Sequence, residues 1–411
     1  MDISVLINGR IIDCTGADPV ENGSVIIEGK RIKEVISGSP GRLPDDCPVI
    51  DCQGNTLLPG LIDAHVHIGS VDPTFTDQQR RYFTSLLIIK SLKIIKETLD
   101  QGFTTVRDVG GADPGFRQAI ADSLIPGPRL FVCGRMLSQT GGHADGRLPT
   151  ETHRPVEHAA GTMSGVYDGV DAVRWASREQ LRQGVDHLKV MAGGGAMSPA
   201  DEIDTAQYSI DELKAIVFEA ENAGKYVAAH CYSDRSIKNC IHSGVRTIEH
   251  GNLMTESSAR AIREAGAYLV PTMVTYEMIS KLGRSFGVPE NNIRKIDQAR
   301  EKAVESLEIA FKAGVKIGSG SDLLGPMQIY KGGELELQAQ VMGAKGALLA
   351  ATRTNSEIVR QENNLGTIEP GKLADLILVK GDPLKDIGIF KEYESSLLLI
   401  IQDGRIYKNI L

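Results

Sequence analysis

The ten residues LPGLIDAHVH, Leu58–His67, hold the first clue to the fold of this 411-residue chain. The run that begins at Leu61 is short and mostly apolar, as in a buried β-strand, and it ends in His65 and His67. Side chains two residues apart on a strand point to the same face, so both imidazoles are predicted to leave the strand together. Imidazole is a common metal ligand, but a single His-x-His pair indicates a metal site only weakly.

Downstream of this stretch the pattern alternates between short apolar runs and segments with helical periodicity. The candidate strands are 61–67, 104–109, 130–134, 185–191, 226–230, 246–250, 268–272 and 315–319. Many helical segments end at a glycine just before the next strand, at Gly102, Gly184, Gly224, Gly244, Gly266 and Gly314. Eight strands with this spacing predict a TIM-like (β/α)8 barrel, whose active site lies at the C-terminal ends of the strands.

The two ends of the chain have a different character. Short β-type runs separated by turn residues occupy 5–7, 23–29, 32–36, 374–379 and 397–401. The sequence therefore predicts an α/β protein in which both chain ends form one small β-sandwich domain. The predicted boundaries are 1–58 and 364–411 for the two parts of the sandwich and 59–363 for the barrel.

The composition is that of an ordinary soluble globular protein, with 41% hydrophobic and 24% charged residues. A formal net charge of -8 and the lack of a basic run argue against nucleic acid or an anionic membrane as a partner. No apolar stretch is long enough to span a bilayer, and we expect no secretory leader. Six cysteines without a Cys-x-x-Cys pair indicate free thiols, so we expect a reducing, cytoplasmic location.

Side chains of the kind that bind metals recur at the ends of the predicted barrel strands. They are His65, His67, Lys189, His230, His250 and Asp322. Each histidine alone could be a hydrogen-bonded core residue, and Lys189 could pair with Asp186 or another acid. Six such groups at ordered strand ends are better explained by a metal-dependent hydrolase with its reaction at the mouth of the barrel.

The motifs around these residues resemble those of the amidohydrolase superfamily. The stretch Leu58–His67 is similar to the family's opening signature, and later motifs are similar to its fifth-, sixth- and eighth-strand ligands and its return to the sandwich. These later motifs are AAH at 228–230, TIEHG at 247–251, GSGSD at 318–322 and GTIEPGKLADL at 366–376. The resemblance covers essentially the whole chain. It is strongest to an imidazolonepropionase-like branch that contains Xaa-Pro dipeptidases (prolidases) and related carboxypeptidase-type enzymes, through residues 104–108, residues 138–143 and the loop after Lys189.

The resemblance implies two divalent metal ions, with zinc as the expected metal. It places one ion on His65, His67 and Asp322, the other on His230 and His250, and Lys189 between them. A buried lysine loses its proton more easily than an exposed one, and its neutral amine can capture CO2 as a carbamate with two metal-binding oxygens. A hydroxide shared by the two ions would attack the carbonyl, while Asp322 accepts the proton and delivers it to the departing amine.

Three further residues are predicted near the substrate. His143, beyond the third strand, is expected to bind the scissile carbonyl or the polar end of the substrate, which the resemblance favours over a loop histidine. Tyr232 could polarise the carbonyl or hold a carboxylate, so both residues are predicted to act in catalysis and in binding. Arg235 offers a charged partner for the substrate and is equally plausible as a surface residue. The run Gly193–Gly195 lacks the Lys-Ser/Thr of a phosphate loop and is interpreted as a flexible rim over the substrate.

The predicted function is hydrolysis of the amide bond to the C-terminal residue of dipeptides or N-acyl amino acids, with Xaa-Pro dipeptidase activity as the specific hypothesis. One alternative releases a basic or aromatic residue instead. A second is a cyclic amidohydrolase of the imidazolonepropionase type, against which Lys189 argues because that relative looks like a one-metal enzyme. A third is a non-catalytic barrel scaffold. The expected partners are a small peptide or N-acyl amino acid substrate and further copies of the chain in a homo-oligomer.

Overall fold

The computed structural model describes residues 3–41, 47–74, 78–153 and 163–411. Within these residues the chain forms eighteen β-strands. Their bounds are β1 Ile3–Ile11, β2 Val20–Glu28, β3 Arg31–Ser37, β4 Val49–Asp51, β5 Thr56–Pro59, β6 Leu61–Val66, β7 Phe103–Asp108, β8 Arg129–Val132, β9 Met136–Ser138, β10 Ser164–Val166, β11 Leu188–Met191, β12 Val227–Ser233, β13 Thr247–Leu253, β14 Tyr268–Val270, β15 Lys316–Ile317, β16 Leu376–Val379, β17 Leu397–Gln402 and β18 Arg405–Asn409.

The same residues form twelve α-helices. Their bounds are α1 Gln78–Arg81, α2 Thr84–Asp100, α3 Pro114–Ala121, α4 Val170–Arg182, α5 Ile210–Asn222, α6 Asp234–His242, α7 Glu256–Glu264, α8 Met273–Leu282, α9 Glu290–Lys312, α10 Gly333–Leu349, α11 Asn355–Ile358 and α12 Tyr393–Ser396. Helix α10 is interrupted at Gly343, where φ is 69°. None of the helices in the described ranges combines the length and the apolar character that a bilayer-crossing segment requires.

Contacts between residues divide the chain into two compact units. The first comprises Met1–Asp63, Glu97–Thr105 and Lys331–Leu411, and the second comprises Ala64–Lys96 and Val106–Tyr330. The first unit contains both chain ends and, in addition, residues 59–63, 97–105 and 331–363, which strand type alone had assigned to the barrel domain. The two sets of boundaries differ because the compact units reflect contacts between residues, whereas the predicted boundaries were placed where the sequence pattern changes.

A mixed β-sandwich sheet built from both chain ends lies in the first unit. Its strand order is β18-β17-β16-β5-β1-β2-β3, with β4 paired to β1. Strands β16 and β5 are antiparallel, with Leu376 opposite Pro59 and Leu378 opposite Leu57. Apolar side chains from both ends of the sequence share one core, among them Leu6, Val25, Ile27, Leu57, Leu376, Leu378 and Leu399. The predicted sandwich is therefore confirmed.

The barrel strands form two sheets, in the orders β10-β9-β11-β12-β13-β14-β15 and β6-β7-β8. All neighbouring strands of the seven-stranded sheet are parallel. Three backbone hydrogen bonds connect the sheets: from Asp186 N to the Val132 carbonyl at 2.7 Å, from Asp322 N to the His65 carbonyl at 2.8 Å and from Ala64 N to the Ser319 carbonyl at 2.9 Å. All eight predicted strands are present, and the (β/α)8 prediction is confirmed.

Glycine ends the helical segments as predicted. Gly102, Gly184, Gly224, Gly244, Gly266 and Gly314 all have positive φ, between 65° and 89°. A residue with a β-carbon adopts this left-handed conformation only at a cost, so glycine allows the chain to leave each helix and enter the next strand. The repeated turn precedes six of the eight barrel strands, β7 and β11 to β15, and in a barrel of parallel strands their C-terminal ends lie at the same face.

Candidate metal centre

The six side chains predicted as metal ligands converge on one pocket in the second unit. Four of them lie on strands β6, β11, β12 and β13, the other two follow β6 and β15, and all six line that pocket. The ring centroids of His65 and His250 are 5.0 Å apart, and those of His230 and His250 are 4.5 Å apart. The structure therefore brings together residues that are up to 257 positions apart in the sequence (Asp322 and His65, 322 minus 65).

Asp322 lies at the centre of this group. Its Oδ1 is 3.4 Å from Nε2 of His65 and 3.2 Å from Nε2 of His67, and its Oδ2 is 3.9 Å from Nδ1 of His250. Burial opposes ionisation of the carboxyl, but the two imidazoles of the β6 motif hold its pKa well below the usual range. Ligand atoms of His65, His250 and Asp322 all lie within 4.8 Å of one another, close enough to share one cation.

The two histidines of β6 each have one ring nitrogen held by a neighbour. Nδ1 of His65 lies 2.7 Å from Oε2 of Glu249, and Nδ1 of His67 lies 2.9 Å from the carbonyl oxygen of Gly110. Both acceptors require a proton on Nδ1, so Nε2, the ring nitrogen that faces Asp322, is the one that can bind a cation. This is the arrangement found behind metal-binding histidines in general.

His230 and His250 are anchored in the same manner from the other side of the barrel. Nε2 of His230 donates to the carbonyl of Gly194 at 3.0 Å, and Nδ1 of His250 is 2.7 Å from Oγ1 of Thr272. Burial lowers the pKa of both imidazoles well below the usual value, so both are neutral at neutral pH. A neutral ring with one nitrogen already engaged offers the other nitrogen to a cation.

A buried ion pair supports His65 from behind. The Arg107 guanidinium, which has no exposed surface, donates to Glu249 at 2.8 and 2.9 Å, to Oγ1 of Thr247 at 2.9 Å and to the carbonyl of Ala64 at 2.5 Å. Glu249 has no exposed surface either and also accepts from Thr247. This network joins β6, β7 and β13 and fixes the carboxylate that orients the His65 ring.

Lys189 is the sixth member of the group. The side chain is 1% exposed, and no carboxylate among the described residues lies within 4 Å of its amine. The alternative pairing with Asp186 does not occur, because Asp186 binds Arg117 at 2.6 Å instead. Burial lowers the pKa of Lys189, which favours the neutral amine. A buried amine beside four imidazoles and one carboxylate therefore lies where a cation could bind.

Three residues at the ends of the last barrel strands have left-handed backbone conformations. The φ angles are 76° for His250, 51° for Thr272 and 50° for Asp322. Residues with a β-carbon rarely adopt such angles, and the strain is tolerated where the surroundings over-determine the conformation. Two of these residues are candidate ligands that line the pocket, and the third, Thr272, holds the His250 ring through its hydroxyl.

Of the three residues predicted to contact substrate, two line the pocket. His143 stacks on the His230 ring at a centroid distance of 4.2 Å, and burial lowers its pKa to about 4. The Tyr232 hydroxyl accepts a hydrogen bond from Tyr276 at 3.1 Å. Arg235 lies exposed in the first turn of α6 and is not among the lining residues.

Some residues of the site carry sequence signals that went unused. Glu249 directly precedes the ligand candidate His250 in TIEHG, and an acid beside a ligand histidine often binds a second histidine. Arg107 lies in the TTVRD motif, at the end of the second barrel strand. Tyr276 is harder to find, because an aromatic residue in the first turn of α8 is indistinguishable by pattern from a core residue.

The rest of the pocket is mostly apolar. Beside the six candidate ligands and His143, its lining consists of Met136, Met191, Ala196, Met197, Tyr232, Thr275, Tyr276, Ile279, Ile296 and Leu324. Asp322 is the one carboxylate and Lys189 the one amine among the described residues that line it. The pocket therefore suits a small substrate with an apolar side chain.

Comparison with known proteins agrees with this geometry. Residues 56–406 match the amidohydrolase family. A prolidase crystallised with N-methylphosphonate-L-proline is 42% identical, with a TM-score of 0.96 over 99% of this chain and 100% of that protein. An Xaa-Pro dipeptidase with methionine bound in its active site is 30% identical, with a TM-score of 0.90 over 99% and 100% of the two chains. Ochratoxinase from Aspergillus niger is 30% identical over 434 aligned positions, 99% of this chain and 87% of that protein. Because the similarity extends over nearly the whole sequence and includes the pocket, the chain belongs to the amidohydrolase family and is a metal-dependent enzyme that acts on C–N bonds.

Proposed function

We propose that the enzyme hydrolyses the amide bond to the C-terminal amino acid of dipeptides or N-acyl amino acids, and that Xaa-Pro compounds are its preferred substrates. The observation that carries the proposal is the 42% identity, over the whole chain, to a prolidase that binds an N-methylphosphonate derivative of L-proline. The apolar pocket supports it, because a proline ring presents only carbon atoms to the lining side chains.

The charges of the pocket argue against the alternative in which the enzyme releases a basic C-terminal residue. A buried ammonium or guanidinium is unfavourable without an acidic partner. Among the described lining residues the sole carboxylate is Asp322, which faces the two histidines of β6. A basic side chain would therefore have no acid to pair with in this pocket. The apolar lining of the pocket keeps release of other apolar C-terminal residues as the second candidate.

We assign one metal ion to His65, His67 and Asp322, a second to His230 and His250, and the carbamate of Lys189 between them. The assignment is supported by the four anchored imidazoles and by the buried amine, which has no acidic partner among the described residues. Bound divalent ions would lower the pKa of a water molecule and polarise the scissile carbonyl.

The side chains of the chain have separate tasks in this proposal. The Asp322 carboxylate is ionised at neutral pH, so it can accept a proton from the attacking water and return it to the departing nitrogen. His143 and Tyr232 lie on the lining of the pocket, where they can bind the polar groups of the substrate. The Tyr232 hydroxyl accepts from Tyr276, so its own proton can be donated to the carboxylate of the substrate. Arg235 has no task, because it is exposed outside the pocket.

The test is turnover of a panel of dipeptides and N-acyl amino acids by protein of measured metal content, with Xaa-Pro, Xaa-Phe and Xaa-Arg members. Selective release of proline at two metal ions per chain is the expected result. Release of phenylalanine in preference to proline would support the proposed amide hydrolysis and contradict the proposed preference for Xaa-Pro substrates. Preferred release of arginine would contradict the pocket argument, and no turnover with both ions bound would point to a cyclic amide or to a scaffold without activity.

A further inference from the structure

Lys295, on helix α9, is a buried cation with an unusual set of partners. The side chain has no exposed surface, and no acid among the described residues lies within 4 Å of its ammonium. Instead, it donates to the main-chain carbonyls of Gly195 at 3.0 Å, Ser198 at 2.7 Å and Asp201 at 2.9 Å. Three acceptors match the three N–H bonds of an ammonium group. A charge is costly to bury, so an apolar residue would be the simpler choice if the position only filled space.

Neighbouring residues of α9 bind the same loop. Asn292, one turn earlier, donates to the carbonyls of Ala196 at 2.7 Å and Ser198 at 3.2 Å. Ile296, the next residue after Lys295, lines the pocket together with Ala196. The N-terminal half of α9 therefore holds the loop after β11 through carbonyl groups of four residues, rather than leaving it as the flexible rim that its glycines suggested.

The loop in turn holds His143. The Ser198 hydroxyl lies 3.1 Å from Nδ1 of His143 and is also bonded to the Asp201 carboxylate. Gln207 closes the network, because it donates to Asp201 at 2.7 Å and accepts from the backbone N–H of His143 at 2.9 Å. A β-carbon at Gly195 would lie 2.0 Å from the His143 ring, so the loop also contacts the ring directly.

We propose that Lys295 is a positioning residue for the substrate pocket. Its ammonium binds three main-chain carbonyls and so fixes the conformation of the loop. The loop then orients His143 through Ser198 and Asp201. The proposal rests on the proposed function for the role of His143 toward substrate. The link from Lys295 to the loop stands on the described contacts alone.

The experiment compares Lys295→Met, Lys295→Ala and the matched control Lys302→Met, which removes an exposed lysine of the same helix. Misplacement of a binding group by about 1 Å can lower turnover about 100-fold, and we expect a loss of that order in kcat/KM for Xaa-Pro substrates in both Lys295 variants. Metal content should stay at the wild-type level, and Lys302→Met should behave as wild type. Hydrogen exchange of amides in residues 193–202 should become faster in Lys295→Met.

Chemical rescue separates positioning from a general loss of structure. In Lys295→Ala, added n-propylammonium can replace the removed side-chain atoms. We expect it to raise kcat/KM of this variant at least about 10-fold and to slow hydrogen exchange of the loop amides again. Tetramethylammonium has the same charge but no N–H donor and should restore nothing. Equal rescue by both cations would overturn the proposal, and so would wild-type exchange and turnover in Lys295→Met.

A second variant covers the case in which the Lys295 variants do not fold. Ser198→Ala keeps the main-chain carbonyls that bind Lys295 and removes the hydroxyl that contacts His143, Asp201 and Gly195, so kcat/KM should fall while metal content stays at the wild-type level. Unchanged kcat/KM in Ser198→Ala would contradict the transmission to His143. If the wild-type enzyme releases no proline while loop exchange rises in Lys295→Met, the proposed function is wrong and the anchoring role of Lys295 is retained.

Discussion

The six candidate ligands of the pocket differ in their contacts, and these contacts indicate what each residue contributes. Four imidazoles are each held by a second partner, so they are already oriented before any cation arrives. Lys189 and Asp322 differ from them. Lys189 has no acidic partner in the part of the chain that the structure describes, whereas Asp322 is the ionised group that faces three of the rings. Substitutions at these two positions should therefore separate metal binding from the proton transfer.

Lys189→Ala should lose bound metal and activity together, because the proposed carbamate ligand could no longer form. Metal analysis of the purified variant alongside turnover measures both quantities. A variant that keeps two ions per chain and full turnover would rule out the bridging assignment.

Asp322→Asn should retain at least part of the metal while losing most of its turnover, because an amide cannot accept the proton from water. The same two measurements apply. Turnover at the wild-type level would refute the role of Asp322 as the base.

Glu249→Gln should weaken metal affinity about 10- to 100-fold, as is typical when the partner behind a ligand histidine is altered. The change replaces the charged acceptor of His65 and leaves the buried Arg107 without its counter-ion. Competition with a metal chelator measures the affinity. The matched control is Glu256→Gln on the exposed surface of α7, which should have no effect. Equal affinities of the two variants would show that the buried network does not reach the metal.

The candidate ligands could be predicted from the sequence because each one ends an apolar run in a recurring motif. Their motifs also contain Arg107 and Glu249, but the sequence does not show that these two charges pair, because β7 and β13 meet only in the folded chain. Lys295 gave no signal either. A lysine in a charged helix is normally exposed, and only the loop carbonyls around it make burial tolerable.

At the level of secondary structure, the alternation of apolar runs and helical segments predicted the barrel strands reliably. Eight apolar runs, each preceded or followed by a helical segment, correspond to the eight barrel strands. Strands β9 and β10 have three residues each, which is too short to show an alternation of buried and exposed positions. They were therefore absent from the prediction.

Helix α5 provides a test of stability at the level of one element. The Ser209 side chain accepts from the backbone of Glu212, and the Glu212 side chain accepts from the backbone of Ser209, which forms a capping box. Ser209→Ala should lower the free energy of unfolding by about 1 kcal/mol. Denaturant unfolding measures this, with Ser209→Asp as the control that keeps an acceptor. Metal content and turnover should not change, and an equal loss in both variants would show that the cap is not the cause.

The whole molecule should lose stability in mild acid, and His187 is one identifiable cause. It has no exposed surface, stacks on Tyr226 at 5.3 Å, and has no hydrogen-bond partner for either ring nitrogen among the described residues. Burial lowers its pKa well below the value of about 6.5 expected in the unfolded chain. The unfolded state therefore binds more protons, so stability is complete above about pH 6.5 and declines as pH falls below it.

His187→Phe keeps the stacked ring and removes the titrating group. We expect the free energy of unfolding of the metal-free variant to fall less steeply between pH 6.5 and pH 5, by at most about 1.4 kcal/mol per pH unit. Denaturant unfolding of both proteins after chelation, at several pH values, gives the two slopes. Parallel slopes would exclude His187 as a source of acid sensitivity.

The antiparallel pairing of β5 with β16 has a consequence for how the protein is made. Pro59 and its partner Leu376 are separated by 317 positions (376 minus 59). At roughly 5 to 20 residues per second, a ribosome needs about 15 to 60 s to synthesise that interval. During this time β5 has no neighbour on one side, and an open strand edge is a site of aggregation. We therefore expect nascent chains to depend on chaperones until β16 has left the ribosome, and chaperone crosslinking to stalled chains of increasing length would show when that dependence ends.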